Sequence, residues 1–190
     1  MRRISTFYLL GLSLLAYCPN VFAHGFSGSG WLHPLTGIDH MCAMIAVGAW
    51  SAQLGGRAFW QVPTAFVCFM FLGGLCGFAH IMLPFTEIGI SLSVLLLGLA
   101  IAIEYKAGII FAILGVALFG LCHGWAHGYE IPAHSNKITY ALGFLATTAC
   151  LHIVGVAGGL ILLEEKNGRL HLRLCGAASA AVGIYLIIRY

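Results

Sequence analysis

Six apolar runs follow one another almost without a break, over 33–54, 61–83, 86–104, 107–126, 138–163 and 172–188. Each approaches the roughly 20 residues that an α-helix needs to cross a hydrocarbon layer about 30 Å thick. A chain laid out this way has little left from which to build a water-facing shell. Of its 190 residues 61% are hydrophobic and only 8% are charged, against about 25% charged in a soluble domain. That balance excludes a cytosolic domain, a nucleic-acid binder and a disordered chain. Arg2 and Arg3 supply much of the formal net charge of +3, and no basic patch points to an acidic partner. The expected fold is all-α, a polytopic membrane protein with a six-transmembrane-helix bundle.

The N-terminus has the layout of a secretory signal peptide: Arg2 and Arg3, an apolar stretch from Phe7 to Tyr17, then Val21-Phe22-Ala23. An uncleaved first transmembrane helix is the competing reading, but the apolar stretch is short and Pro19-Asn20 interrupts it. The expected organisation is a signal peptide over 1–23 and a single six-helix transmembrane domain over 24–190. Cleavage makes His24 the mature N-terminus, outside the cytoplasm, in a bacterial periplasm. Cys42, Cys68, Cys76, Cys122, Cys150 and Cys175 lie in apolar runs without a CxxC pair. They read as small buried hydrophobes, with Cys122 the exception because it adjoins His123.

Connections such as Gly55-Gly56-Arg57, Pro84-Phe85 and Tyr105-Lys106 force consecutive helices to lie antiparallel. With His24 outside, Arg57, Lys106, Lys166, Arg169 and Arg173 fall inside, and Lys137 and Arg189 outside. That is the inside-positive bias. Both termini are then periplasmic, in a multi-pass protein of the bacterial inner membrane. Trp31, Trp50, Trp60 and Trp125 fall near helix ends, as an interfacial aromatic belt requires. Gly73 and Gly77, Gly155 and Gly159, and Gly120, Gly124 and Gly128 form rows that let helix backbones approach in lipid.

Ionisable groups are costly inside a membrane, so their positions carry information. His33, Asp39 and His40 open the first run. His33 and His40, seven apart, share one face if the helix is continuous. Asp39 either binds a cation or holds a histidine tautomer. His123, His127 and Glu130 close the fourth run at i, i+4 and i+7, an arrangement in which the histidine pair can chelate. The loop-charge orientation puts both clusters at the same membrane level, joined there by His80 and Glu87. His152 lies deep in the fifth run, either on an ion path or packed against a neighbouring helix. His134 and His171 read as ordinary loop residues. Imidazole with carboxylate and no thiolate pair favours Ni, Co, Zn, Cu(II) or Fe(II) over Mg or Ca.

The two clusters together resemble the HupE/UreJ family of membrane proteins. Its first-helix motif, His-x5-Asp-His, matches His33, Asp39 and His40. Its fourth-helix motif matches His123-Gly124-Trp125-Ala126-His127-Gly128-Tyr129-Glu130, with Cys122 where the family usually has Phe. Pro84 with Glu87, and Leu54-Gly55-Gly56-Arg57, are also similar. The resemblance implies uptake of nickel, and in some members cobalt, in association with hydrogenase and urease maturation.

The leading expectation is a permease, not an enzyme. It imports a divalent transition metal, nickel or also cobalt, from periplasm to cytoplasm for metalloenzyme maturation. The ion is a transient ligand and no cofactor is permanently bound. The expected ligands are His33, Asp39, His40, His123, His127 and Glu130, with His24, His80, Glu87 and His152 as secondary candidates. Its partners are the lipid bilayer and the ion, with no nucleic acid; a homo-oligomer and a downstream metallochaperone are compatible with this reading. No nucleotide-binding motif supplies energy, which leaves passive flow and proton coupling open. The alternatives are a membrane-embedded metalloenzyme or haem-binding subunit, since His123-x3-His127 alone fits a histidine box, and a structural accessory subunit.

Overall fold

The computed structural model describes residues 30–189. The signal-peptide reading, His24 and Tyr190 lie outside the described residues. Those described form seven α-helices and no strand: α1 (His33–Thr36), α2 (Ile38–Leu54), α3 (Ala58–Phe78), α4 (Thr86–Ala102), α5 (Ile109–Tyr129), α6 (Lys137–Glu164) and α7 (Gly168–Arg189).

Local chemistry explains most of the boundaries. Pro34 sits in the first turn of α1, where a missing N–H costs nothing. Gly55 and Gly56 both have positive φ, 74° and 55°, and form the turn between α2 and α3 that side chains with a Cβ rarely adopt. Asn136 caps α6 by accepting a hydrogen bond from Thr139 N at 3.1 Å. The connections are short, so successive helices from α2 to α7 alternate in direction.

The first apolar run departs from its expectation. It is not one helix over 33–54, because Gly37 takes an extended conformation (φ −85°, ψ 117°) and separates α1 from α2. Four helices, α3, α5, α6 and α7, are long and apolar enough to cross a membrane. The apolar helix α4 is shorter, at 17 residues. α2 also has 17 residues and carries Asp39 and His40 near its start. It packs against α3, α4, α6 and α7. A helix enclosed by protein on most sides has little need of a lipid-facing apolar surface.

The bundle is built from three tightly docked pairs: α3 with α5, α4 with α7, and α2 with α6. Glycines set their spacing. A Cβ on Gly124 would stand 1.9 Å from the Met70 carbonyl oxygen, one on Gly48 2.2 Å from that of His152, and one on Gly98 2.4 Å from Ala180 N. These backbones touch directly, as the rows of small residues predict. The buried centre contains Met44, Val47, Val62, Phe66, Met70 and Val116, all at 0% exposure. Large apolar side chains such as Phe111, Leu114, Leu118 and Ile153 point outward, the surface of a protein solvated by lipid rather than by water.

Two sequence expectations fail on side-chain direction. Cys68, Cys150 and Cys175 face outward instead of filling the core, because a helix in lipid can be apolar all round and periodicity cannot mark its inner face. Trp50, near its helix end as expected, turns inward and not toward lipid: it is 7% exposed, and its indole N–H donates to the Tyr105 carbonyl at 3.0 Å. Trp31 and Trp60 are each half exposed.

The end of the bundle where α2 and α4 finish is closed by donors aimed at backbone carbonyls. Gln53 Nε2 donates to Ile101 O at 3.2 Å and Arg173 Nε to Ala102 O at 2.9 Å. Lys106 Nζ donates to Gln53 O. Arg169 pairs with Glu104 at 3.3 Å. These groups satisfy carbonyls that a helix C-terminus leaves open.

Candidate metal centre

At the opposite end, the break at Gly37 lets α1 fold back so that His33 and His40 meet, with ring centroids 5.7 Å apart. They are neighbours through a kink and not, as expected, through one continuous helical face. Helix α5 brings His127 against both, 4.7 Å from His33 and 4.7 Å from His40. The three imidazoles are buried, and one ring nitrogen of each lies within 4.8 Å of the others. Two imidazole nitrogens bound to one ion at about 2.1 Å are at most about 4.2 Å apart. The trio therefore needs only a small inward rotation of its rings to share a cation.

Asp39 holds this group and does not point into it. Its Oδ1 accepts hydrogen bonds from the His40 backbone N–H at 2.8 Å and from His40 Nδ1 at 2.9 Å. A carboxylate only accepts, so Nδ1 carries a proton, and in the neutral ring the Nε2 lone pair is free. Among the described residues His40 Nε2 is buried with no hydrogen-bond partner. Carboxylate behind imidazole is the arrangement that orients a histidine ligand and raises its basicity. Of the two roles open to Asp39 in the sequence, the geometry matches the second. Gly37 provides the space, since a Cβ there would lie 2.8 Å from Asp39 Oδ1.

His127 is fully buried, stacked on Phe144 at 4.8 Å and 6°, and neither ring nitrogen has a hydrogen-bond partner among the described residues. Buried polar atoms are almost always hydrogen-bonded. Two such nitrogens on one ring call for a bound water or a ligand. Glu130 is the C-cap of α5, beyond the helix proper, and its Oε2 is 3.8 Å from His33 Nε2. It stands at the rim of the trio.

His123 lies one turn deeper on α5, fully buried, with its ring 4.8 Å from that of His40. Its Nε2 is 2.9 Å from Ser93 Oγ, and its Nδ1 is unpartnered. Deeper still, His152 Nδ1 donates to the Met44 carbonyl at 2.7 Å, leaving Nε2 buried and unpartnered. The ring of Phe66 is a neighbour of both, 5.5 Å from His123 and 5.0 Å from His152. His152 thus has both features weighed in the sequence: it packs on a neighbouring helix, and it keeps one lone pair open.

The secondary candidates divide. Glu87 is half-buried in the first turn of α4. His80 is exposed, with a positive φ of 53°, and packs edge-on against Tyr129 at 5.4 Å. It is not drawn into the imidazole group. His171 lies in the first turn of α7, not in a loop, at the far end of the bundle. Cys122 Sγ faces α4, where a Cβ on Gly89 would come within 2.6 Å of it, and it is not among the side chains grouped with the imidazole trio.

Sequence reasoning missed Ser93, Phe66, Phe144 and the Met44 carbonyl. The first had a faint signal, a hydroxyl in the run Ile90-Ser91-Leu92-Ser93-Val94. The aromatic residues had none, because an aromatic side chain in an apolar helix looks the same whether it lines a site or faces lipid.

The HupE / UreJ protein family model matches residues 8–186. A curated relative, Protein HupE of Rhizobium leguminosarum bv. viciae, is 44% identical over 161 residues, which is 84% of this chain and 83% of that protein. No solved structure matches the chain. A family match over nearly the whole length, together with a relative this similar, settles the kinship: the chain is a member of the HupE/UreJ family.

Proposed function

We propose that the protein is a permease for a divalent transition metal, nickel or cobalt, carrying the ion inward from the periplasm for metalloenzyme maturation. The observation that carries this reading is the buried trio His33, His40 and His127, within 4.8 Å of one another, with unspent lone pairs on His40 and His127. Neutral imidazole suits nickel and cobalt, and poorly suits magnesium or calcium. The metal is cargo, and no resident cofactor is part of the proposal.

In this reading α2 to α7 are the six spans, and the imidazole end faces the periplasm. His24, freed by signal cleavage, adds an amine and a ring to ion capture. Glu130 and Glu87 attract the cation at the rim. The trio replaces part of its water shell, and His123 and then His152 take it deeper past Phe66. A trio that must draw its rings together to bind favours transit over storage, since conduction needs sites that also release.

The test is uptake of radiolabelled nickel and cobalt by cells lacking other importers, with and without this protein. Uptake that depends on the protein, and that falls to background in His40→Ala and His127→Ala, is the expected result. Unchanged uptake in both variants overturns the shared-site reading. A haem or di-iron absorption spectrum in the purified protein would instead favour a membrane metalloenzyme.

A further inference from the structure

Ser93 lies in the middle of α4, fully buried, and meets His123 across the contact with α5. A serine in an apolar helix commonly bonds back to its own backbone, and Ser93 does so: its Oγ donates to the Ile90 carbonyl at 2.6 Å. That bond uses the hydroxyl's only hydrogen. What remains on the oxygen is acceptor capacity. His123 Nε2, 2.9 Å away, therefore faces a lone pair and must itself carry the proton. A neutral imidazole protonated at Nε2 keeps its own lone pair on Nδ1, and Nδ1 is the atom buried without a partner among the described residues.

We propose that Ser93 is a positioning residue of the ion path, which holds His123 as the Nε2–H tautomer so that Nδ1 is the nitrogen offered to the passing cation. The inference rests on the permease reading above and adds to it the identity of a donor atom and the residue that selects it. Its neighbours along the path are held the other way round. Asp39 takes the Nδ1 proton of His40, and the Met44 carbonyl takes that of His152, so both rings present Nε2. Nδ1 lies next to Cβ and Nε2 at the far edge of the ring. The path thus alternates between long-reaching and short-reaching imidazoles. The other rings against His123, those of His40 and Phe66, make no hydrogen bond to its Nδ1. Without Ser93 nothing in these contacts selects a tautomer, and an Nδ1–H form would turn a proton toward the cation.

The experiment uses the full mature chain in lipid nanodiscs. Nitrogen NMR of labelled histidine, without metal, reads the tautomer of each ring, with His123 assigned by its loss in His123→Ala. Calorimetry with nickel ion alone reads affinity. The wild type should show His123 protonated at Nε2. Ser93→Ala should shift that ring toward the Nδ1–H form or a mixture, and should weaken nickel binding about tenfold or more, the usual cost of removing a partner that orients a ligand. Ser93→Thr, which keeps the hydroxyl, should restore both readouts. A wild-type His123 protonated at Nδ1 overturns the proposal even if Ser93→Ala fails to fold. So does a folded Ser93→Ala with unchanged tautomer and affinity. His40→Ala in the same assay separates the two levels. If it loses nickel binding while Ser93→Ala does not, only the Ser93 assignment falls; if neither loses it, the permease reading falls as well.

Discussion

From one end of the bundle inward, five ring nitrogens on His40, His123, His127 and His152 are buried without a hydrogen-bond partner among the described residues. At the other end, Trp50, Gln53, Lys106 and Arg173 each direct a side-chain donor at a backbone carbonyl. Both ends are polar, and simple counting of polar groups treats them alike. The difference lies in what the polar atoms still have to give. Donors spent on helix C-termini close the protein and leave little with which to bind an ion. Lone pairs held open in a buried site retain most of their capacity, and the helices around them must be locked by other means. Glycine-to-backbone contacts supply that lock: the seam between α3 and α5 runs beside the imidazoles through Gly120, Gly124 and Gly128.

The seam should give the largest effect. Gly124→Ala places a methyl group where Met70 O stands 1.9 Å away, so α3 and α5 must separate. The variant should yield little monodisperse protein on size-exclusion chromatography. Gly115→Ala, on the same helix toward the other end and with nothing within 4 Å, should be tolerated or slightly stabilising, by about 0.5–1 kcal/mol. Similar behaviour of the two variants would break the contrast.

Next in size, His40→Ala and His127→Ala should reduce nickel uptake by about 100-fold or more, at or above the upper range for losing an orienting partner. Lys106→Ala and Arg173→Ala should change uptake only by the small amount that a weakened fold implies, about 1 kcal/mol per hydrogen bond. Equal losses at both ends would mean that closure, and not ligation, limits transport.

Asp39→Asn should come third. It keeps the shape but removes the charge behind His40, and nickel affinity by calorimetry should fall about 10–100-fold. An unchanged affinity would reduce Asp39 to a helix-start acid.

The smallest and most graded effect is that of pH. Histidine must be neutral to ligate, and metal binding releases protons. Protons therefore compete with the ion, and affinity should fall as pH drops from about 7.5 to about 5.5. With several imidazoles sharing the ion, the slope should exceed one proton per metal. Lys106→Ala should leave that slope unaltered. A flat profile, or loss of binding in Cys122→Ser alone, would point away from imidazole ligands.

The all-helical fold was legible in the apolar runs, because helix is the structure that satisfies its own backbone in lipid. The pairing of helices was partly legible in Gly73, Gly77, Gly124 and Gly128, since small residues at one spacing admit a second backbone. The chemistry of the site was legible as residue type: rare histidines and acids in an apolar chain stand out. Its construction was not. The break at Gly37 hides in an apolar run, where a single glycine is common inside helices. The outward cysteines and the inward Trp50 were misjudged because lipid removes the polar stripe that marks the exposed face in a soluble helix.

Sequence alone determined which residues were available to bind a metal, and the local pairs that spacing enforces: His123 above His127 on one helix, and Asp39 beside His40. Only the tertiary structure decided which nitrogen each ring offers. That choice depends on partners distant in the chain, Ser93 for His123 and the Met44 carbonyl for His152. The physical reason is that an imidazole has two nearly equivalent nitrogens. A single hydrogen bond from the far side breaks the tie, and no pattern along the sequence shows where that bond will come from.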